Sequence, residues 1–411
     1  MISQHILFIG LVWPEPNSSA GGSRTIQLIN LFLSKGWKVT FASAASDSEF
    51  AINLETLGVQ KVNIVLNSDS FDVFLKKIQP SIVVFDKFMI EEQFGWRVEE
   101  NCPHALRILD TIDLHCLRLA RQNALKEDRT FTYSDLTSDV AKREIASIFR
   151  CDISLIISDF EMDLLKEHFK VDEQLLYYLP FLLDPVDEKT ISNSLPFEDR
   201  SRFITIGNFL HEPNWNAVLF LKQEIWPLIR KKLPEAELYV YGAYVSQKVN
   251  ELNNPKEGFY IQGRAADAKE VVRNARVCLA PLRFGAGIKG KLVEAMQCGT
   301  PSVTSEIGAE GMHGTYEWNG IIANTPQGIA AAAVELYSNK KVWLKSQING
   351  VNIINNIYSK EILGAKFLSH ILFSIQHLEK KRSKNFIGAM LMHHTVASTK
   401  YMSKWIEAKN K

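Results

Sequence analysis

Residues 277–312 read VCLAPLRFGAGIKGKLVEAMQCGTPSVTSEIGAEGM. An apolar strand ends near Pro281. The chain then runs through Arg283-Phe284-Gly285-Ala286-Gly287-Ile288-Lys289-Gly290-Lys291 into a helix holding Leu292, Glu294 and Met296. Three glycines permit close approach of a ligand. A helix start offers free N–H groups to an anion, and Arg283, Lys289 and Lys291 surround it with positive charge. The stretch has the chemistry of a diphosphate site, with Glu294 one turn in as an acceptor for sugar hydroxyls. Gly285-x-Gly287-x-x-Gly290 also spells a dinucleotide fingerprint. It falls in a late unit and carries basic residues that an NAD loop does not need. Glu306 and Glu310 stand near the required acid spacing, so spacing alone does not exclude NAD.

Outward from this loop, short apolar runs alternate with helical periods. In the first half they are HILFIG, WKVTFAS, VNIVL, SIVVF, RILDT and DISLIIS. The pattern restarts near residue 200 with RFITIG, AELYVYG, FYIQG, VCLAPL and PSVTS. Strands alternating with helices predict parallel sheets covered on both faces. The fold class is therefore α/β, with two Rossmann-like domains facing a cleft. The predicted boundaries are 1–184 for the first domain, 185–200 for a polar linker and 201–365 for the second. Residues 366–384 are predicted as a helix crossing back and 385–411 as a basic tail. Ligands of such sheets bind at the carboxyl ends of the strands.

The chain has 411 residues, 46% hydrophobic and 23% charged, which excludes a mostly disordered or fibrous protein. A net charge of +1 gives no field drawing the molecule to nucleic acid, so no nucleic-acid partner is expected. Five scattered cysteines without CxxC spacing predict reduced thiols rather than a disulfide frame or a zinc site. No apolar run is long enough to span a bilayer, and MISQHILFIG lacks the marks of a signal peptide. A cytoplasmic protein is expected. The segment 380–411 carries +7, leaving −6 on the rest. With FIGAMLM inside it, that tail suggests peripheral contact with anionic lipid at the inner membrane; a merely solvated tail is the plainer alternative.

Two constellations stand in the first half. Gly21-Gly22-Ser23-Arg24 opens the first helix and would turn free N–H groups toward the cleft, for a donor phosphate or an acceptor. Asp110-Thr111-Ile112-Asp113-Leu114-His115 ends a strand and enters an arginine-rich helix with Arg118 and Arg121. Asp113 and His115 are candidates for holding an acceptor or steering its hydroxyl. Asp at such a position also serves as a plain helix cap. Ser158-x-x-Glu161 fits a capping box, a structural role.

An ordered series then runs through Ile206-Gly207-Asn208, His211-Glu212-Pro213-Asn214, Tyr241-Gly242-Ala243, Ala280-Pro281-Leu282-Arg283, Gly285-Ala286-Gly287-Ile288-Lys289, Lys291, Glu294-Ala295-Met296, Gly299-x-Pro301 and Gly308-Ala309-Glu310-Gly311. It resembles the C-terminal domain of GT-B-fold glycosyltransferases of family 4 (glycosyl transferases group 1). Pro16, Ala20-Gly21-Gly22, Arg24 and Asp110 to His115 with Arg118 extend the likeness more weakly, over roughly 5–375. The resemblance implies a retaining glycosyltransferase that needs no dedicated metal or other cofactor. Its donor would be a nucleotide sugar of UDP or GDP type, and its acceptor a glycan or a lipid-linked glycan of polysaccharide biosynthesis. Carried over by position, Arg283, Lys289 and Lys291 would steady the departing diphosphate, Glu294 would hold the ribose, and Glu310 would lie near the base or ribose. The sequence departs from the pattern in two places. Ala286 stands eight residues before Glu294, so the first glutamate of E-x7-E is missing, and backbone N–H groups of Gly285 to Gly287 would take its place. Asn208 stands where arginine is common. A catalytically silent nucleotide-sugar-binding scaffold therefore remains the main alternative, with an NAD-dependent oxidoreductase behind it.

Overall fold

In a computed structural model the chain is described over residues 4–187, 191, 195–393, 401, 405 and 409. Its first sheet holds seven strands, β1 (His5–Gly10), β2 (Lys38–Ser43), β3 (Gln60–Asn63), β4 (Ile82–Asp86), β5 (Leu106–Asp110), β6 (Ile153–Ile156) and β7 (Leu176–Tyr178). Their spatial order is β3-β2-β1-β4-β5-β6-β7, every pairing parallel. The second holds six, β8 (Ser201–Ile206), β9 (Leu238–Tyr241), β10 (Phe259–Gly263), β11 (Ala275–Ala280), β12 (Ser302–Thr304) and β13 (Gly320–Ile322). Their order is β10-β9-β8-β11-β12-β13, again all parallel. The predicted pair of parallel α/β domains is what forms. Near-continuous apolar runs such as HILFIG suit strands covered on both faces, and β1 is buried from Ile6 to Gly10.

The differences from the sequence reading are local. β7 and β13 were not predicted; each is three residues long, too short to show a period. The run AVLFLKQEIWPLIRKK is not one helix. Helices Glu212–Phe220 and Trp226–Lys232 are joined by a π-turn over Leu221–Ile225. Pro227 has no N–H to continue the ladder, and a wider turn accommodates its ring. All five cysteines are free and buried.

The linker prediction is only partly testable, since 188–190 and 192–194 lie outside the described residues. Around it, Phe181, Leu183 and Val186 share a core with Ile288, Leu292, Met296 and Tyr358 of the second domain. Leu183 bridges to Ser359, the N-cap of the helix Lys360–Gln376. The crossing helix thus starts near residue 360 rather than 366. It returns to the first domain, where Phe367 (0% exposed) packs with Phe32 and Tyr177 at ring distances of 6.3 and 5.2 Å. The next helix, Leu378–Lys384, is pinned by Arg382, whose Nε and Nη2 donate to both Asp152 oxygens at 2.7 Å. The helix Phe386–Met392 is seated by Asn385 Nδ2, which donates to the Phe149 carbonyl at 2.7 Å. Of the predicted basic tail, Lys400, Lys404 and Lys411 lie outside the described residues. Among the described residues no helix is long and apolar enough to cross a membrane.

Because both domains share this helix, its anchor belongs to the stability of the first domain. Phe367→Ala should cost ~3–5 kcal/mol, as for other fully buried aromatics. Urea unfolding measures it, and a loss near zero would contradict the docking.

Candidate active site

The carboxyl ends of the two sheets face each other across a cleft of about 990 Å³. The first domain contributes the β1 loop and helix start (Glu15, Gly21, Gly22), the β4 end (Asp86, Lys87) and the β5 end (Ile112, Asp113, His115, Arg118). The second contributes Asn208 and His211 after β8, Arg264 to Lys269 after β10, and the loop after β11.

That loop meets part of the expectation. Gly285, Ala286, Ile288, Lys289, Lys291 and Glu294 line the cleft. The helix Gly290–Gln297 starts there without a side-chain cap, which leaves its first N–H groups for a ligand. Among the described residues, the Lys291 ammonium has no ion-pair or hydrogen-bond partner. It lies against Gly207, where even a β-carbon would come within 2.9 Å of Nζ. Lys289 is buried and donates to the Gly287 carbonyl at 2.8 Å. Burial lowers both lysines to about 8 and pushes the Glu294 carboxyl up to about 6.

Three predicted residues are placed otherwise. Arg283 does not line the cleft. It sits between buried Leu282 and Phe284, is exposed, donates from Nε to Asn216 Oδ1 at 2.8 Å and covers the Phe220 ring at 4.8 Å. Alternation at the end of β11 turns it outward once its two neighbours turn in. Glu310 also stays outside the cleft. Arg121 of the first domain reaches across and holds both its oxygens, at 2.7 and 2.8 Å. Gly287 is not a free donor. Its N–H is taken by Glu161 Oε1 at 2.9 Å, so it is not open to replace the missing glutamate.

On the facing wall, Asp113 and His115 come together as expected, with Asp113 Oδ1 3.3 Å from His115 Nε2. Arg118 Nε donates to Asp113 Oδ2 at 2.7 Å. Burial alone would raise the Asp113 carboxyl; Arg118 and His115 outweigh it and hold Asp113 well below the usual carboxylate range. Asp113 does not cap the helix His115–Lys126. Buried Glu144 does, accepting from the His115 and Cys116 N–H groups at 2.9 and 2.8 Å. The expectation for the first glycine turn holds in place but not in availability. Gly21 and Gly22 line the cleft, yet the Gly22 N–H is capped by Ser19 Oγ at 3.0 Å. Arg24 faces inward rather than into the cleft. It is buried and bonds Asp110 at 2.8 Å and the Leu179 carbonyl at 2.7 Å. Asn208 Oδ1 accepts from the Leu210 N–H at 2.8 Å, a turn-forming bond at the cleft edge.

The sequence reading missed three features. The capping box is only half right, for Ser158 Oγ accepts from the Glu161 N–H at 3.2 Å while the Glu161 carboxylate ties the domains together. Glu15 accepts from the Tyr244 hydroxyl at 2.8 Å, bridging the cleft rim. Gly290 faces Ala20 so closely that a β-carbon would come within 2.6 Å of the Ala20 methyl.

Residues 200–339 match the family model described as Glycosyl transferases group 1. No curated protein matches the chain. Solved structures share the whole architecture. A glycosyltransferase from Rickettsia africae superposes with a TM-score of 0.66 at 14% identity, covering 92% of this chain and 99% of that one. Sucrose-phosphate synthase from Thermosynechococcus elongatus gives 0.64 at 16%, covering 90% and 99%. HepE from Anabaena, in complex with UDP and glucose, gives 0.65 at 13%, with the same shares. At these identities the likeness shows the fold, which is GT-B.

Lys291 has a testable charge. Its positive form is complete well below pH 8 and is lost as pH rises through about 8. An anion held by it should bind up to ~10-fold more weakly at pH 9 than at pH 7, one pH unit beyond the pKa being worth tenfold. Calorimetry with pyrophosphate measures this. Lys291→Arg, protonated throughout, should reduce the dependence to whatever Lys289 carries.

Proposed function

We propose that the protein is a retaining glycosyltransferase that moves a sugar from a nucleoside diphosphate sugar to a glycan or lipid-linked acceptor without a resident metal. The observation that carries this is Lys291, an ammonium without a counterion, beside an uncapped helix start in a cleft between two GT-B domains. The match of residues 200–339 to group 1 glycosyltransferases supports it.

In this reading the diphosphate lies against Lys291 and the N–H groups of Gly290 and Lys291. Lys289 sets the loop that precedes them. Bond cleavage at the anomeric carbon places growing negative charge on the leaving diphosphate, and fixed cations and N–H groups stabilise it without reorganisation. Glu294, one turn along, accepts from the ribose hydroxyls. Asp113, kept ionised, and His115 beside it orient the acceptor hydroxyl from the facing wall. Closure of the cleft keeps water from competing.

Two observations bear on the alternatives. With Ala286 in place of the glutamate and the Gly287 N–H engaged, the N–H groups of Gly285 and Ala286 are left to support the donor sugar, and binding of a donor without its consumption would favour a silent scaffold. Neither Glu306 nor Glu310 lines the cleft, which leaves the dinucleotide fingerprint without its acid.

We also place the acceptor near a membrane. The helix Phe386–Met392 exposes Phe386, Ile387 and Met390, with Lys380 and Lys384 exposed just before it. Vesicles of phosphatidylglycerol should bind the protein better than phosphatidylcholine ones. Phe386→Asp with Ile387→Asp should weaken this by more than ~10-fold, each large apolar side chain being worth ~1.5–3 kcal/mol when buried. Equal sedimentation with both lipids would remove the membrane from the account.

The enzyme assignment is tested by consumption of UDP-glucose, UDP-N-acetylglucosamine and GDP-mannose. Lys291→Ala should lower turnover ~10²–10³-fold, as loss of one charge-stabilising donor does elsewhere. Arg283→Ala, outside the cleft, should stay close to wild type. The reverse pattern would refute the site.

A further inference from the structure

Two unusual turns meet at the bottom of the cleft. After β5 the chain passes through Ile112 at φ 63°, a conformation unfavourable for a β-branched residue, and then through Asp113 and Leu114. Across the domain boundary Gly287 has φ 62°. A β-carbon there would lie 2.9 Å from the Asp113 β-carbon and 3.0 Å from the Ile112 carbonyl oxygen. The two turns are in contact, and only glycine fits.

Glu161 stands behind them, 0% exposed. Its Oε1 accepts from the Leu114 N–H at 2.9 Å and from the Gly287 N–H at 2.9 Å. Its Oε2 lies 3.1 Å from Ser158 Oγ, which donates to it. One oxygen atom thus gathers a backbone donor from each domain. Arg121 closes the same boundary from a second side, donating to the Gly285 carbonyl at 2.9 Å while it holds Glu310. Both groups join the N-terminal half to the loop of the C-terminal half, and Glu161 also holds Leu114 and Ser158 within the first domain.

We infer that Glu161 is a positioning residue for sugar transfer, fixing the loop 285–289 against the turn that carries Asp113. It touches no substrate; it acts through Gly287 and Leu114. This carboxylate then registers a donor sugar on the loop against a hydroxyl held at Asp113, with Arg121 bonding Gly285 beside it. This rests on the glycosyltransferase reading of the cleft. The reach required is fine, since ~1 Å of misplacement can cost ~10²-fold in rate.

The test compares wild type with Glu161→Gln, Glu161→Ala and Gly287→Ala. Hydrogen exchange is followed at the peptides containing Leu114 and Gly287. UDP and GDP affinity and consumption of UDP-glucose, UDP-N-acetylglucosamine and GDP-mannose are measured beside it. Glutamine keeps the Oε1 acceptor, so it should retain protection of both amides and most of the turnover. Alanine should expose both amides together and lower turnover by ~10²-fold, while nucleoside diphosphate affinity stays near wild type. Gly287→Ala, which leaves Glu161 in place and pushes the loop off Asp113, should expose the Gly287 amide, leave the Leu114 amide protected by Glu161, and lower turnover likewise; it decides the matter if Glu161→Ala does not fold. Unchanged protection or unchanged turnover in Glu161→Ala would overturn the inference, as would equal loss of nucleotide affinity and turnover in the glutamine and alanine variants. If wild type binds neither UDP nor GDP, the function reading fails, while the exchange data still decide whether Glu161 registers the two turns.

Discussion

A half-buried ammonium without a counterion at a cleft wall is a charge that the fold itself leaves unneutralised. Lys291 is in that position, and the surrounding chain keeps it so. β11 delivers the loop, Gly207 leaves room for the amine, and the helix Gly290–Gln297 directs its open N-terminus to the same spot. Three carboxylates around the loop are already engaged. Asp113 is held by Arg118 and His115, Glu161 by two backbone amides and Glu310 by Arg121. Lys291 and the open helix start thus form one unneutralised positive spot on the cleft wall, the spot to which the proposed function assigns the donor diphosphate.

The two halves are joined more firmly than a polar linker implies. The core of Phe181, Leu183 and Val186 with Ile288, Met296 and Tyr358 spans the hinge. The returning helix places Phe367 and Ile371 in the first domain's core. These apolar joints hold the domains together at one edge, and the polar contacts of Glu161, Arg121 and Glu15 act at the facing surfaces. Burial supplies non-directional adhesion, whereas hydrogen bonds fix register.

The sequence was a good guide where the chemistry is local. The loop from Gly285 to Lys291 and Glu294 one helical turn later are near neighbours in the chain, so spacing alone places them together. The strands showed themselves through apolar runs, except for the three-residue β7 and β13. Arg283 was misjudged because charge says nothing of which way a side chain turns at a strand end; the burial of Leu282 and Phe284 decides that. Glu161 and Gly287 are 126 residues apart, and Arg121 and Glu310 are 189. No periodicity links them. Ser158-x-x-Glu161 even offered a sufficient local explanation, which hid the longer-range one. The resemblance to family 4 pointed to the cleft and its donor side but could not report which groups were already engaged.

The most direct measurement is a calorimetric titration of wild type and Glu294→Ala with UDP, GDP, ADP, CDP and NAD. The account predicts that one nucleoside diphosphate binds, that NAD does not, and that Glu294→Ala weakens the interaction. Binding of NAD alone, or of no nucleotide at all, would contradict it.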